Sequence, residues 1–96
     1  MEFVWSQNKG SINYKKHGIT FDEAKTAFFD ENGLLLSDPD HSIDEDRFIL
    51  LGKSYKLHLL VVCHCYRESD DVIRIISARK ATKNERDQYK NNGGLL

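Results

Sequence analysis

Residues Val72–Thr82 read V-I-R-I-I-S-A-R-K-A-T, and this stretch decides the architecture. Its β-branched apolar run marks a strand, yet Arg74 and Arg79 interrupt it. The preceding apolar run, Leu57–Tyr66, leads directly into Arg67. A half-buried strand cannot take a guanidinium out of water unpaired without a large desolvation cost. Two arrangements satisfy that constraint. Each arginine pairs with a nearby carboxylate, or a rigid sheet presents fixed cations to an anionic partner, for which phosphate is the natural match. Arg74 and Arg79 stand five apart, so a regular strand points them to opposite faces and only a bulge would unite them.

Working outward, Leu57–Tyr66 is the most continuous apolar run and is predicted to be the central strand. Glu68–Asp71 turns it back into Val72–Ala78 as an antiparallel partner. Arg47–Leu51 and Leu34–Leu36 supply two more strands, and Phe3–Trp5 a short opening one. Ser6 is placed to cap a helix over Asn8–His17 that Gly18 ends. Thr20, with Glu23 three residues on, opens a second helix whose stripe is Phe21, Ala24, Ala27 and Phe28 and which Asn32-Gly33 closes. Thr82 and Glu85 repeat that spacing at a third helix running through Tyr89. The expectation is an α+β fold: strand, two helices, an antiparallel four-stranded meander, then a helix. The helices pack on one face of the sheet, and the other is left open for a ligand. Residues 1–90 are expected to form one domain, with Asn91–Leu96 as a flexible tail.

Ninety-six residues suffice for one core without disulfides or metal. No apolar run approaches the ~20 residues that span a bilayer. The opening Met-Glu-Phe-Val-Trp lacks the basic start of a signal peptide, so cytoplasmic residence is the default expectation. The net charge of −1 hides an asymmetry. Residues 37–46 carry five acids (Asp38, Asp40, Asp44, Glu45 and Asp46) and no Lys or Arg, whereas residues 47–96 carry ten Lys/Arg against five Asp/Glu. Such a pattern suits an anionic ligand on one side and a basic partner on the other, or simply a solvated acidic loop with no partner. Cys63 and Cys65 lie two apart on a strand, at or beyond disulfide reach, while alternation turns His64 away from both. No second ligand pair stands at zinc-finger spacing, so no metal or cofactor is expected.

Taken together, the motifs resemble one family. They begin with Trp5, Lys9, Asn13, Lys16-His17-Gly18-Ile19, Phe21 and Glu23-Ala24. Asp38–Ser42 follows, then Glu45-Asp46 and Arg47–Gly52. The last block runs from Leu60 through Arg67, Arg74 and Arg79 to Glu85, Arg86 and Tyr89. The pattern closely resembles the BrnT toxins of type II toxin–antitoxin systems, over roughly residues 2–89. Family members often carry Asp where this chain has Ser6, a change between two capping residues. Cys63-His64-Cys65 replaces a more usual threonine- or tyrosine-containing stretch.

The resemblance implies a RelE-like fold, with an antiparallel sheet of four to five strands, two N-terminal helices and one C-terminal helix. It implies a ribonuclease that stalls translation and growth. Its partner would be a BrnA-type antitoxin with a ribbon-helix-helix DNA-binding domain, and the complex would repress its own operon. Metal-free RNA cleavage needs a base for the 2′-hydroxyl, cations for the developing phosphorane charge and an acid for the leaving oxygen. Arg67 and Arg79 are the first candidates for the cations, and Lys16 and His17 for proton transfer. His41, oriented by Glu45, is a further candidate base or acid. Arg74, Lys80, Lys83, Arg86 and Tyr89 would contact RNA. Structural alternatives stand beside these: His17 ending its helix, His41 fixing its loop, Tyr89 packing α-helix to core, Arg74 pairing with Glu23 or an acidic-loop residue. A non-catalytic RNA- or protein-binding module, or a metal-dependent hydrolase built on Cys63, His64 and Cys65, would be the rival functions.

Overall fold

Three side chains start the three helices, as their spacing predicts. In a computed structural model that describes residues 1–38, 46–67 and 71–94, Ser6 accepts from the Lys9 N–H at 3.3 Å, Thr20 from Glu23 at 3.0 Å and Thr82 from Glu85 at 3.3 Å. In order the elements are β1 (Glu2–Val4), α1 (Gln7–His17), α2 (Phe21–Thr26) and a 3₁₀ turn over Ala27–Phe29. Then come β2 (Leu34–Ser37), β3 (Phe48–Lys53), β4 (Leu59–Arg67), β5 (Val72–Lys80) and α3 (Lys83–Asn91). Gly18, at φ 72°, ends α1 in the left-handed conformation open to glycine. The second helix stops sooner than Asn32-Gly33. Thr26 bonds back to the Glu23 carbonyl at 2.7 Å, and the chain tightens into the 3₁₀ turn.

The five strands lie in the order β1-β5-β4-β3-β2. From β2 to β5 they form the expected antiparallel meander, but β1 runs parallel to β5, so the sheet is mixed. The first strand pairs with the last because the chain leaves β1 at one margin, crosses through α1 and α2, and re-enters at the opposite margin. Between β4 and β5 the register slips: Cys63 faces Ser77 while His64 faces Ile75, leaving Ile76 as an extra residue.

The sheet is covered on both faces, a correction to the expectation that all helices share one. On the first face, Ile19, Phe21, Ala24 and Ala27 pack against Leu50, Leu60, Val62, Ile75 and Ala78. Burying a side chain such as Leu60 or Val62 is worth about 1.5–3 kcal/mol. His64 lies in this layer too, 0% exposed, edge-on to Phe28 and Tyr66. Burial lowers its pKa, and its Nδ1 lies 2.9 Å from the Val62 carbonyl, to which neutral imidazole donates. On the second face α3 covers one end: Tyr89 packs with Leu51, Leu59 and Val61.

Buried polar bonds join these layers. β5 runs beyond short β1, and there the Asn13 side chain of α1 acts as the missing strand. Its amide donates to the Ala78 carbonyl at 2.9 Å and accepts from the Ala78 N–H at 3.0 Å. A third bond, to the Ile19 carbonyl at 2.9 Å, fixes the α1–α2 link. Glu23 does not close a capping box. Its carboxylate instead accepts from Ser54 Oγ at 2.7 Å and meets His58 Nδ1 at 2.8 Å, tying α2 to the β3–β4 turn.

α3 is fastened at both ends. Glu85 completes a capping box with Thr82 and forks onto Arg79, Oε1 to Nη1 at 2.8 Å and Oε2 to Nη2 at 2.9 Å. Tyr89 donates to Asp30 at 2.5 Å. The chain then doubles back so that Gly94 lies directly under the Tyr89 ring, where a β-carbon would come within 2.1 Å of it. Part of the expected tail is therefore packed against α3. The Arg79 bond, with help from Thr82, holds the Glu85 carboxyl down at about 2. At Asp30 burial works against ionisation, but bonds from Tyr89, Lys53 and Asn32 outweigh it and lower the pKa.

Three outcomes are expected. Asn13→Ala should lower stability by about 3 kcal/mol or more in urea unfolding, since it strands three buried backbone groups at ~1–3 kcal/mol each. Gly52→Ala should lower the melting temperature, because a β-carbon there would sit 2.7 Å from the Ala27 carbonyl oxygen. A carboxyl depressed by folding stabilises above its unfolded pKa, so stability should fall as the pH drops from 4.5 towards 2. That fall should be shallower in Glu85→Gln.

Candidate functional site: an arginine-walled cleft on the open sheet face

The extra residue at Ile76 determines which side chains share a face. Ser77 pairs with Cys63 and Arg79 with Val61 on one side of the bulge, while Arg74 pairs with Cys65 on the other. Val61, Cys63 and Cys65 alternate onto one face, so Arg74 and Arg79 lie on it together despite their opposite parity in sequence. Arg67, two residues beyond Cys65, takes the same parity. Arg47 directly precedes Phe48, the partner of His64, and continues the Ile49 row onto this face. The sheet therefore carries Arg47, Arg67, Arg74 and Arg79 on the side that α3 covers only in part.

Two of these build a cleft of about 360 Å³. Arg79 stands at one end, Arg47 and Asp38 at the other, and Ile49, Val61 and Cys63 form the floor. Ile76 and Ser77 form the wall nearest the open edge of β5. Asp38 is drawn alongside Arg47 by its N–H bond to the Arg47 carbonyl at 2.9 Å. Burial raises the Cys63 thiol pKa, with Arg47 pulling the other way, so the thiol stays protonated. The floor is apolar and the ends are charged, an arrangement that takes a flat ring below and an anion at the rim.

Lys16 and His17, at the end of α1, line a second cleft of about 190 Å³ with Lys9. Ile76 and Ser77 line this one as well. The bulge is thus a low ridge with a cationic hollow on each side, and the sequence candidates Arg79 and His17 flank it. Arg67 is not part of this grouping. It follows by six residues the Val61 that faces Arg79, about 20 Å along the strand at ~3.3 Å per residue.

The remaining candidates divide by exposure. Lys80, Lys83 and Arg86 are on the surface at the β5–α3 junction or along α3. Tyr89 is 1% exposed, its hydroxyl is held by Asp30, and burial with that bond raises its pKa to about 12. Its ring is therefore a core element, not a surface for stacking, and its proton is tightly held. Glu23 is committed to Ser54 and His58, so it is not the partner of Arg74. His41 and Glu45 lie outside the described residues. Arg47, which lines the cleft, was not among the sequence candidates, although its parity with Ile49 in R-F-I-L-L was readable. Glu85, read only as a cap, forks onto Arg79. A shallower depression of about 380 Å³ between Trp5, Tyr14 and Phe21 holds none of these arginines.

Comparison with known proteins follows the same lines. A family described as "Ribonuclease toxin, BrnT, of type II toxin-antitoxin system" matches residues 5–85. No curated protein matches the chain. Among solved structures, the 1.1 Å crystal structure of the Brucella abortus ribonuclease toxin BrnT is similar, with a TM-score of 0.67. The two share 21% identity over 86% of this chain and 99% of that one, a likeness that speaks for the fold. The family match runs from Trp5 to Glu85, and so takes in both hollows, the bulge between them and the carboxylate behind Arg79. This chain belongs to the BrnT family of ribonuclease toxins of type II toxin–antitoxin systems.

Proposed function

We propose that the protein is a metal-independent endoribonuclease whose scissile phosphate sits at the Ile76–Ser77 ridge, held by Arg79. The observation that carries this reading is the bulge, which sets a guanidinium and an imidazole on either side of one ridge. Such cleavage proceeds by attack of the 2′-oxygen on the adjacent phosphorus. The 2′-proton passes to a base, charge builds on the phosphorane oxygens, and the 5′-oxygen departs with a proton. Arg79 and Arg47 stabilise the phosphorane charge, the larger part of the task. His17 is the proton-transfer group within the described residues, since imidazole both takes and gives a proton near neutral pH. Lys16 and Lys9 hold neighbouring phosphates. His41, with Glu45, is a second proposed proton-transfer group.

Arg67 and Arg74 then serve a longer track. Phosphates along a single strand lie well under 20 Å apart, so a strand seated at Arg79 passes further phosphates over Arg74 and Arg67. Lys80, Lys83 and Arg86 extend the cationic surface at the other end. The proposed arrangement is RelE-like, an open sheet face that receives RNA. A type II toxin has an antitoxin partner. We assign that role to a BrnA-like protein with a ribbon-helix-helix domain, an acidic segment of which would occupy the same cations. Cleavage of cellular RNA would halt translation and growth.

Three results are expected. Arg79→Ala should lower kcat by ~100-fold or more, the scale of losing one charge-stabilising donor. Arg67→Ala should act mainly on KM and reduce the salt dependence of binding by about one phosphate contact. Cleavage should persist in excess EDTA and leave 2′,3′-cyclic phosphate and 5′-hydroxyl ends. Loss of activity in EDTA, restored by a divalent ion, would sink the metal-free mechanism.

A further inference from the structure

The Arg79 guanidinium is not a loose cation on the sheet. Its two terminal nitrogens each bond a different oxygen of Glu85, at 2.8 and 2.9 Å, and Nη1 also donates to the Lys80 carbonyl at 3.3 Å. The carboxylate is in turn held from behind, since the Thr82 N–H donates to Oε1 at 2.7 Å. A guanidinium has five N–H groups in one plane. Glu85 and Lys80 engage both hydrogens of Nη1 and one of Nη2. What remains is the Nε–H and the second Nη2 hydrogen, which together make a side-on fork spaced for two phosphate oxygens.

We propose that Glu85 is a positioning residue: it locks Arg79 so that this one edge faces the cleft and meets the scissile phosphodiester. The proposal rests on the ribonuclease reading above and adds to it a residue that does not touch RNA. Two physical consequences follow. First, a long side chain that would otherwise lose rotamer freedom on binding is already ordered. Second, the carboxylate offsets the guanidinium charge in the resting site. The net pull on any passing phosphate is then modest, and stabilisation grows as the second charge develops on the phosphorane. With its pKa held down, Glu85 has no proton to give near neutral pH, and Arg79 and the Thr82 N–H occupy both its oxygens, so it is assigned neither the acid nor the base role.

Because Glu85 also caps α3, a loss of activity on substitution has a rival cause in the helix. Thr82→Ala separates the two, since it removes the cap hydroxyl and leaves the Glu85–Arg79 fork in place. The experiment is steady-state cleavage of a single-stranded RNA oligonucleotide of mixed sequence by five purified chains. These are wild type, Glu85→Gln, Thr82→Ala, Arg79→Ala and the Arg79→Ala/Glu85→Gln double variant. Glu85→Gln is expected to lower kcat by about 10–100-fold, the effect of a mispositioned group, with KM unchanged or lower. Thr82→Ala should melt earlier yet keep kcat within about 2-fold, and Glu85→Gln should cost nothing further once Arg79 is gone. Wild-type kcat in Glu85→Gln would overturn the proposal. So would an equal loss in Thr82→Ala, or a full additional loss in the double variant. Unimpaired cleavage by Arg79→Ala would instead remove Arg79 from the site, and no cleavage by wild type would remove the ribonuclease reading itself.

Discussion

One surplus residue in β5 governs this molecule. A strand has a side-chain period of two, so an odd spacing between Arg74 and Arg79 would send one of them into the helix-covered layer. That layer is filled by Val62, Ile75 and Ala78 and could accept a guanidinium only at great cost. Inserting Ile76 resets the parity midway along the strand. Apolar residues then face the helices on both sides of the bulge, and arginines face the opposite way on both sides. The same residue supplies the ridge between the two cationic hollows, so packing and site geometry have a common origin.

The bulge could not stand at an unprotected sheet margin. β1 covers β5 only as far as Arg74, and beyond it the backbone of a buried strand would lack partners. Asn13 resolves this by giving Ala78 both the donor and the acceptor that a neighbouring strand would provide. Buried amides that are fully satisfied specify one arrangement because every alternative leaves groups unpaired. Here the arrangement places the end of α1, with Lys16 and His17, beside Ser77. A structural bond thereby becomes the ruler that separates the proposed acid–base group from the proposed phosphate group.

α3 performs the matching task on the other face. Its first turn holds Glu85 against Arg79, and its last turn drives Tyr89 into Leu51, Leu59 and Val61. The helix covers enough of that face to complete a second core while leaving Ile49 and Cys63 open as part of a cleft floor. The sheet is so divided that α1 and α2 close one face while α3 closes only part of the other.

Local chemistry was legible in the sequence. The three cap residues, the terminating Gly18, the four-strand meander and the turn of His64 away from Cys63 and Cys65 all follow from short-range rules, because hydrogen-bond spacing and side-chain alternation act within a few residues. The family pattern put forward Arg79, Lys16 and His17 as candidates, and the structure sets them around the Ile76–Ser77 ridge. Long-range facts were not legible. Nothing within β5 announces that Ile76 is unpaired, since a bulge is defined by the register of the partner strand. Nor does the sequence show that β1 runs parallel to β5, that α3 takes the second face, that Tyr89 is core, or that Arg67 stands a strand's length from Arg79. Those depend on which surfaces are buried together once the sheet has closed, a free energy that belongs to pairs of distant residues and to no single segment.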